Sequence, residues 1–465
     1  MKKDVQKSSL SSDHTQKFNV LIVGMDGVSR LNFHRQLPKT VNLLKDLDAI
    51  ELLGYNKVAD NTFPNLFSLL TGIGVNNLQF KCSTLDDCPW IWSEYKKHGY
   101  VTGYGEDATE LSIFQYKNHY LTKKPTDFQL IPFMKTIEKL SGHKNIFSSK
   151  ICLGPVMSIE VLYDFVKKFA SAVPSKHKFG FFWSTSLTHD DLNFASLADD
   201  IHVDFLKSLN SSSTLDNTIL ILLSDHGLRN DKIRQVYQGY LEDRLPYAFF
   251  LLPKKFTLLY PEAVKNLKNN TRKLTTAFDI YKTLQDLIYL NELKSTTLKN
   301  RSKQLEIMES KPIAISLFLP IHKTRTCTDA GIHTQWCSCH RSTVVSTKSL
   351  LVQKMSLILL LKVNSMLAAY VMCAKLSLAE IRSARMEHDL VINSPQQYIP
   401  KENAKYYTVT IRTIPGDALF EGLILHNVIT NSCHVVGDVT RINMYGNQSA
   451  CVYQNHIKSY CYCTC

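Results

Sequence analysis

The sequence predicts an α/β protein: a mostly parallel sheet layered between helices, followed by a smaller cysteine-rich region. Three observations predict it. Short, continuous apolar runs recur, several of them leading into Asp, Glu or His; stretches of helical pattern separate them; and the cysteines crowd toward the C-terminus, nine of the twelve lying between Cys327 and Cys465. Continuous apolar runs are how strands buried on both faces read. Their alternation with helices indicates a parallel sheet covered on both sides.

In chain order, the polar residues 1–17 are expected to be disordered. The first strand, 18–24, runs into Met25-Asp26-Gly27. Helical pattern follows over 40–47. Asp60-Asn61-Thr62-Phe63-Pro64-Asn65 reads as a loop entering a helix, with Thr62 suited to the N-cap, Pro64 to the first turn and Gly72 to the stop. A helix over 89–98 precedes a strand over 101–104 that leads to Glu106 and Asp107. After a helix over 158–170, the strand 179–183 leads into His189-Asp190-Asp191. After a helix over 195–209, the strand 218–223 leads into Ser224-Asp225-His226-Gly227, and a further strand over 247–252 closes at Pro253. The catalytic domain is expected to span 18–310 and the cysteine-rich region 311–465. Within the latter, 350–374 should be a buried helix or two. As a membrane span, its best window is broken by Lys362, Asn364 and Ser365.

The net charge of +13 on 465 residues is spread without long basic runs, which argues against a dedicated nucleic-acid role. The C-terminal cysteines lack regular C-x2-C pairs, so disulfides in an oxidising compartment explain them better than zinc. Glycosylation acceptors at Asn210, Asn269, Asn300 and Asn447 fit an extracellular or secretory-lumen setting. Residues 1–18 contain no apolar core of a secretory signal, so the export segment is expected to be missing from this chain. The rival, a cytosolic basic protein using its cysteines for zinc, rests only on that N-terminus.

In doubly wound sheets, ligands bind outside the carboxyl ends of the strands. Asp26, His189 with Asp190, and Asp225 with His226 all reach that edge, which suggests a metal site. Thr62, at a helix N-terminus, faces N–H donors and the positive end of the helix dipole, an environment that favours a phosphoryl or sulfuryl group. A bound divalent metal would lower the pKa of the hydroxyl, as a threonine needs before it can attack.

Gly24-Met25-Asp26-Gly27-Val28-Ser29-Arg30, Asn61-Thr62-Phe63-Pro64-Asn65 and Ser224-Asp225-His226-Gly227 resemble the alkaline-phosphatase superfamily. The Thr-Phe-Pro-Asn element is particularly similar to nucleotide pyrophosphatase/phosphodiesterases. A closer resemblance is to an uncharacterised, sulfatase-like animal family of that superfamily with a Cys-rich C-terminus. It is carried also by Gly54-Tyr55-Asn56-Lys57-Val58, by residues 238–246, by Arg325-Thr326-Cys327, by Arg441-Ile442-Asn443-Met444-Tyr445-Gly446 and by Cys451.

The resemblance implies an alkaline-phosphatase-like three-layer α/β/α fold and a two-metal site, with zinc as the ion. In it, Asp26, Thr62, Asp225 and His226 form one metal site and Thr62 is the nucleophile. For the other, the family pattern of an Asp, a His a few residues on and a distant His is not met, since no His follows Asp190 at that spacing. His189, Asp190 and His333 are the candidates; His189 touching substrate directly, in a one-metal enzyme, is the alternative. Asn61, Asn65 and Arg30 are candidate substrate ligands. Arg229 and Arg234 are a possible anion-attracting rim, and 242–244 reads as a structural ion pair. Sulfatases need a convertible Cys or Ser followed by x-Pro-x-Arg; Thr62-Phe63-Pro64-Asn65-Leu66 offers neither. The expected activity is therefore hydrolysis or transfer at a phosphate mono- or diester through a phosphothreonine, on a phosphorylated small molecule, lipid or glycan. The alternatives are a non-catalytic extracellular binding protein and a sulfuryl hydrolase without the formylglycine motif.

Overall fold

The structure, a computed structural model, describes residues 16–116, 119–140, 150–388 and 403–464; most of the N-terminal tail expected to be disordered lies outside them. The chain forms two compact units, residues 1–228 with 242–332, and residues 229–241 with 333–465.

The first unit holds seven strands in one sheet: β1 (Asn19–Met25), β2 (Ile50–Glu51), β3 (Val101–Glu106), β4 (Phe128–Gln129), β5 (Lys178–Ser184), β6 (Thr218–Leu223) and β7 (Ala248–Leu251), ordered β2-β7-β6-β1-β5-β3-β4. The five from β6 to β4 run parallel; β7 is antiparallel to both its neighbours, β6 and β2. Side chains of one strand alternate between two cores. Val20, Ile22, Phe181 and Ile221 face the helices Thr62–Thr71, Ile91–Lys97 and Ala277–Ile288. Leu21, Val23, Phe182 and Leu222 face the helices Pro38–Asp46, Ser158–Ser171 and Asp199–Ser211. This is the three-layer α/β/α arrangement expected.

Register decides where the chemistry goes. Gly24 pairs with Leu223 on one side and Trp183 on the other, so β1, β5 and β6 end level. Strands in register lie about 4.8 Å apart, which puts the residues just beyond their ends within reach of one another. Gly24 is required there: a Cβ would overlap the Trp183 ring and the Leu223 carbonyl.

The sequence reading ends the first domain at 310, whereas the first unit continues to 332. Ile315, Leu317, Phe318 and Leu319 fill its core, and Asn270 donates to the Leu317 and Leu319 carbonyls.

The second unit contains a five-stranded sheet in which all neighbours are antiparallel: β8 (Arg341–Val344), β9 (Ser377–His388), β10 (Ala404–Ile414), β11 (Ala418–Asn427) and β12 (Ser432–Arg441). The sequence reading gives this region no sheet. Helix Leu350–Leu367 lies on it. By length and composition that helix is apolar enough to cross a membrane, but Val352, Met355, Leu359, Val363 and Leu367 pack against Ala384, Val409, Ile411, Phe420 and Ile424. Its other side, with Leu350, Leu357 and Leu361, is exposed, so it is not the fully buried helix expected. Disulfides join Cys373 to Cys461 and Cys451 to Cys463 in this unit, and Cys82 to Cys88 in the first. Cys327 and Cys337 are disulfide-bonded as well, whereas Cys152, Cys339 and Cys433 are free thiols. All four glycosylation acceptors are exposed.

Candidate active site at the strand ends

Asp26 follows β1, and Asp225 and His226 follow β6. Their backbone is tied across the strand ends. Ser224 Oγ donates to the Met25 carbonyl at 2.6 Å and accepts from Val28 N at 3.0 Å. Asp225 Oδ1 accepts from Gly27 N at 3.2 Å and His226 N at 2.9 Å. These bonds aim Oδ2 of Asp225 away from the backbone, and that buried atom has no hydrogen-bond partner.

His226 Nδ1 lies 2.9 Å from the Gly227 carbonyl, which can only accept. The ring proton is therefore on Nδ1, and Nε2 presents a lone pair. Nε2 lies 3.1 Å from Asp225 Oδ2, 3.6 Å from Asp26 Oδ1 and 3.3 Å from Thr62 Oγ1. Thr62 Oγ1 is 3.1 Å from Asp26 Oδ1. One ligand atom each from Asp26, Asp225 and His226 falls within a 4.8 Å span. Burial pushes the Asp225 carboxyl up; His226 opposes this and Asp26 adds to it. Two carboxylates and an imidazole brought together in a buried space are groups that could hold a divalent cation.

Thr62 is reached differently from the way its sequence suggests. Asn61, not Thr62, is the N-cap of helix Thr62–Thr71, and Gly72 closes the helix in the left-handed conformation. With no capping bond to make, the Thr62 hydroxyl turns to Asp26 and His226. It is also the most accessible of the four: Thr62 is half-buried while the other three are buried.

The loop before it is clamped from inside by Asn65, whose Oδ1 accepts from Val58 N and Ala59 N and whose Nδ2 donates to the Ala59 and Asn61 carbonyls. Asn65 is thus engaged with backbone on both sides of its amide and is not available to substrate, contrary to expectation. Asn61 differs: its buried Oδ1 has no partner. Lys57, to which the sequence reading gives no site role, reinforces the loop by donating to the Asp60 carbonyl and pairing with Asp243 at 2.8 Å in a fully buried contact; burial pulls its ammonium down to about 8. Asp243 also pairs with Arg244, while Glu242 pairs with Arg35 at 2.6 Å, so 242–244 serves the scaffold. Arg30 pairs with Glu51 at 3.2 Å. Arg234 is buried in the second unit beside Glu421, not on an open rim.

The loop after β5 starts from a clamp as well. Asp107, at the end of β3, accepts from Ser184 Oγ, Thr185 N, Ser186 N and Ser186 Oγ at 2.6–3.1 Å. Thr188 Oγ1 donates to the Asp26 carbonyl at 2.5 Å. Beyond it, His189 Nδ1 and Asp190 Oδ1 pair at 2.8 Å, partly exposed. His333 caps the short helix Thr334–Trp336 in the second unit, accepting from Gln335 N. Among the described residues, one carboxylate–imidazole group converges, and it contains Asp26, Asp225 and His226.

Several solved structures share features of this fold. A protein of the alkaline phosphatase superfamily from Vibrio parahaemolyticus is 11% identical, over 96% of this chain and 85% of that one, with a TM-score of 0.43. The lipoteichoic acid synthase LtaP from Listeria monocytogenes is 14% identical, over 61% and 76%, with a TM-score of 0.39. Murine ectonucleotide pyrophosphatase/phosphodiesterase 5, solved in complex with AMP, is 12% identical, over 59% and 95%, with a TM-score of 0.37. No curated protein matches the chain. The family described as "Protein of unknown function (DUF229)" matches residues 1–382, well over half of the sequence, and the chain belongs to that family.

Proposed function

We propose that this protein is a metal-dependent hydrolase or transferase of phosphate esters in which Thr62 is the nucleophile. One observation carries the reading: Thr62 Oγ1, Asp26 Oδ1 and His226 Nε2 meet at 3.1–3.6 Å beside the unpartnered Oδ2 of Asp225. Asp26, Asp225, His226 and Thr62 would hold the ion. A divalent cation supplies charge neutralisation and lowers the pKa of the hydroxyl.

The chain's own residues do the rest. Asp26 Oδ1, 3.1 Å from Thr62 Oγ1, orients and receives the hydroxyl proton. Thr62 Oγ1 forms a bond to phosphorus as the bond to the leaving oxygen breaks, its electron pair leaving with that oxygen, which takes a proton from solvent. N–H groups of the N-terminal turn of helix Thr62–Thr71 and the side-chain Nδ2 of Asn61 would donate to the phosphoryl oxygens. Water, or an acceptor alcohol, then displaces Thr62 from the phosphothreonine. The half-buried Thr62 above three buried residues allows a substrate to approach from the solvent side. Phosphorylated small molecules, lipid headgroups and glycan phosphates are the candidate substrates, and the disulfides with four exposed acceptor asparagines support an extracellular or secretory setting.

Metal content measured beside turnover of bis-p-nitrophenyl phosphate, for wild type and Asp225→Ala, tests the reading. Bound metal with turnover, both lost in the variant, is the expected result. No bound metal after reconstitution and no turnover would sink the enzyme reading in favour of a binding protein. Turnover confined to sulfate esters would replace phosphoryl by sulfuryl transfer.

A further inference from the structure

The sheet of the second unit has two unlike faces. One carries Ala384, Val409, Ile411 and Phe420 against the long helix. Because strand side chains alternate, Ser383 and Arg385 of β9 lie on the other, where Ser383 pairs with Thr410, Thr410 with Glu421, and Glu421 with Thr440. Thr410, Glu421 and Thr440 are buried. A buried sheet face made of hydroxyls and charges calls for an explanation, since polar groups are costly to desolvate without partners.

Residues 229–241, part of the same unit, supply Arg234, Tyr237 and Tyr240 to it. Arg234 is 2% exposed and donates to the Arg229 and Gly239 carbonyls and to Glu421, each at 3.3 Å. The Arg385 guanidinium stacks over Tyr240 at 4.5 Å and Tyr237 at 5.1 Å. Its nearest carboxylates are Glu421 at 3.8 Å and Glu387 at 4.0 Å, and its buried Nε and Nη2 have no hydrogen-bond partner. Glu387 is engaged elsewhere, accepting from Thr408 Oγ1 at 2.5 Å and lying 3.1 Å from His340. Arg382 is partly exposed and holds Glu380, which Arg412 shares. A cavity of about 100 Å³ is lined by Arg234, Arg382, Arg385, Glu421, Ser383 and Thr410 among others. Three guanidiniums thus line a space whose wall holds one carboxylate.

We propose that this cavity binds one tetrahedral oxyanion, phosphate or sulfate, either free or as the terminal group of a larger molecule. An oxyanion would accept from the Arg385 N–H groups, and stacking on two tyrosines fixes the planar fork that bidentate oxyanion binding uses. The volume also selects: organic ligands occupy pockets of roughly 300–1,000 Å³, so the cavity admits the anionic group and leaves the remainder of any larger molecule outside, near Arg382.

The test uses the full chain in EDTA, which removes metal-dependent phosphate binding near Thr62. Inorganic phosphate and sulfate are titrated calorimetrically at ionic strength held constant with chloride. The expected result is about one oxyanion per chain and a melting temperature that rises with phosphate but not with chloride. Arg385→Gln should weaken phosphate binding at least tenfold and Arg382→Ala by less, with both variants keeping the wild-type melting temperature in chloride to within a few degrees. Arg385→Lys, which keeps the charge but not the fork, is the second variant if Arg385→Gln fails to fold, with the same loss expected. Competition by phosphoserine assigns the site to a phosphate on a larger molecule; failure to compete, with phosphate still bound, assigns it to the free ion. Phosphate affinity unchanged in folded Arg385 variants, or no binding above chloride in wild type, would overturn the proposal.

Discussion

Two loops leave the same edge of the parallel sheet carrying Asp and His, and they end differently. The turns after β1 and β6 lock onto each other: Ser224 bridges Met25 and Val28, Asp225 accepts two backbone amides, and the Gly227 carbonyl sets the His226 tautomer. Four side-chain atoms converge as a result. The loop after β5 is equally well anchored at its base by Asp107 and Thr188, but His189 and Asp190 lie past those anchors and form a partly exposed pair. Ligand-type residues at a strand end are therefore not enough. The donors that second-layer bonds hold at the ends of β1 and β6 converge on one point, whereas His189 and Asp190 stand as a separate pair.

The largest expected effect tests that asymmetry directly. Thr62→Ala should lower turnover of bis-p-nitrophenyl phosphate by about 10³-fold or more, the scale for losing a nucleophile, whereas His189→Ala should cost about tenfold or less and leave metal content unchanged. Steady-state kinetics with elemental analysis on both variants decides it. If His189→Ala or Asp190→Ala halves the bound metal, the two loops form a two-ion site and the contrast fails.

The far end of the β5 loop offers a pH test. The chain there enters helix Asp199–Ser211, where His202 is buried against the Tyr163 hydroxyl at 2.7 Å and the Ala198 carbonyl at 3.1 Å. Burial pulls its imidazole down to about 4. A folded pKa below the unfolded value of about 6.5 means that this group's stabilising contribution is present above pH 6.5 and lost as pH falls through 4. The difference of about 2.5 units corresponds to roughly 3 kcal/mol. Urea unfolding of wild type between pH 7 and 4 should show a steeper loss than His202→Phe, by an amount of that order. Parallel curves would mean that His202 does not titrate in this range.

The sheet was legible because its strands are continuous apolar runs, and Asp26, Thr62, Asp225 and His226 because they sit beside such runs or a helix start. What stayed hidden depends on contacts far apart in sequence. Nothing local in Asn65 says that its amide is closed around the 58–61 backbone, and Lys57 finds Asp243 across 186 residues. The N-cap was misassigned by one residue because Thr and Asn both cap well; only the pull of Asp26 and His226 decides which hydroxyl or amide turns inward. The second sheet escaped notice because its strands alternate polar and apolar residues beside a much stronger apolar signal in 350–367. The first unit runs on past 310 because 315–319 belongs to a core assembled by helices far upstream.

The smallest effect concerns the anchor that the two loops share. Asp107 is fully buried, accepts four hydrogen bonds from 184–186, and is pushed up in pKa by burial against those same bonds. Asp107→Asn keeps the size but turns one acceptor into a donor facing donors, which should cost about 1–3 kcal/mol. Through Ser184, whose carbonyl accepts from Asp26 N at 2.8 Å, and through Thr188, the damage would reach Asp26. Turnover should therefore fall a few-fold at constant metal content, with kcat reduced and KM little changed, because Asp107 positions a ligand and does not meet substrate. Asp107→Asn that destabilises the protein while leaving kcat untouched would show that the β5 loop is decoupled from the site, and would sharpen the contrast between the two loops into full independence.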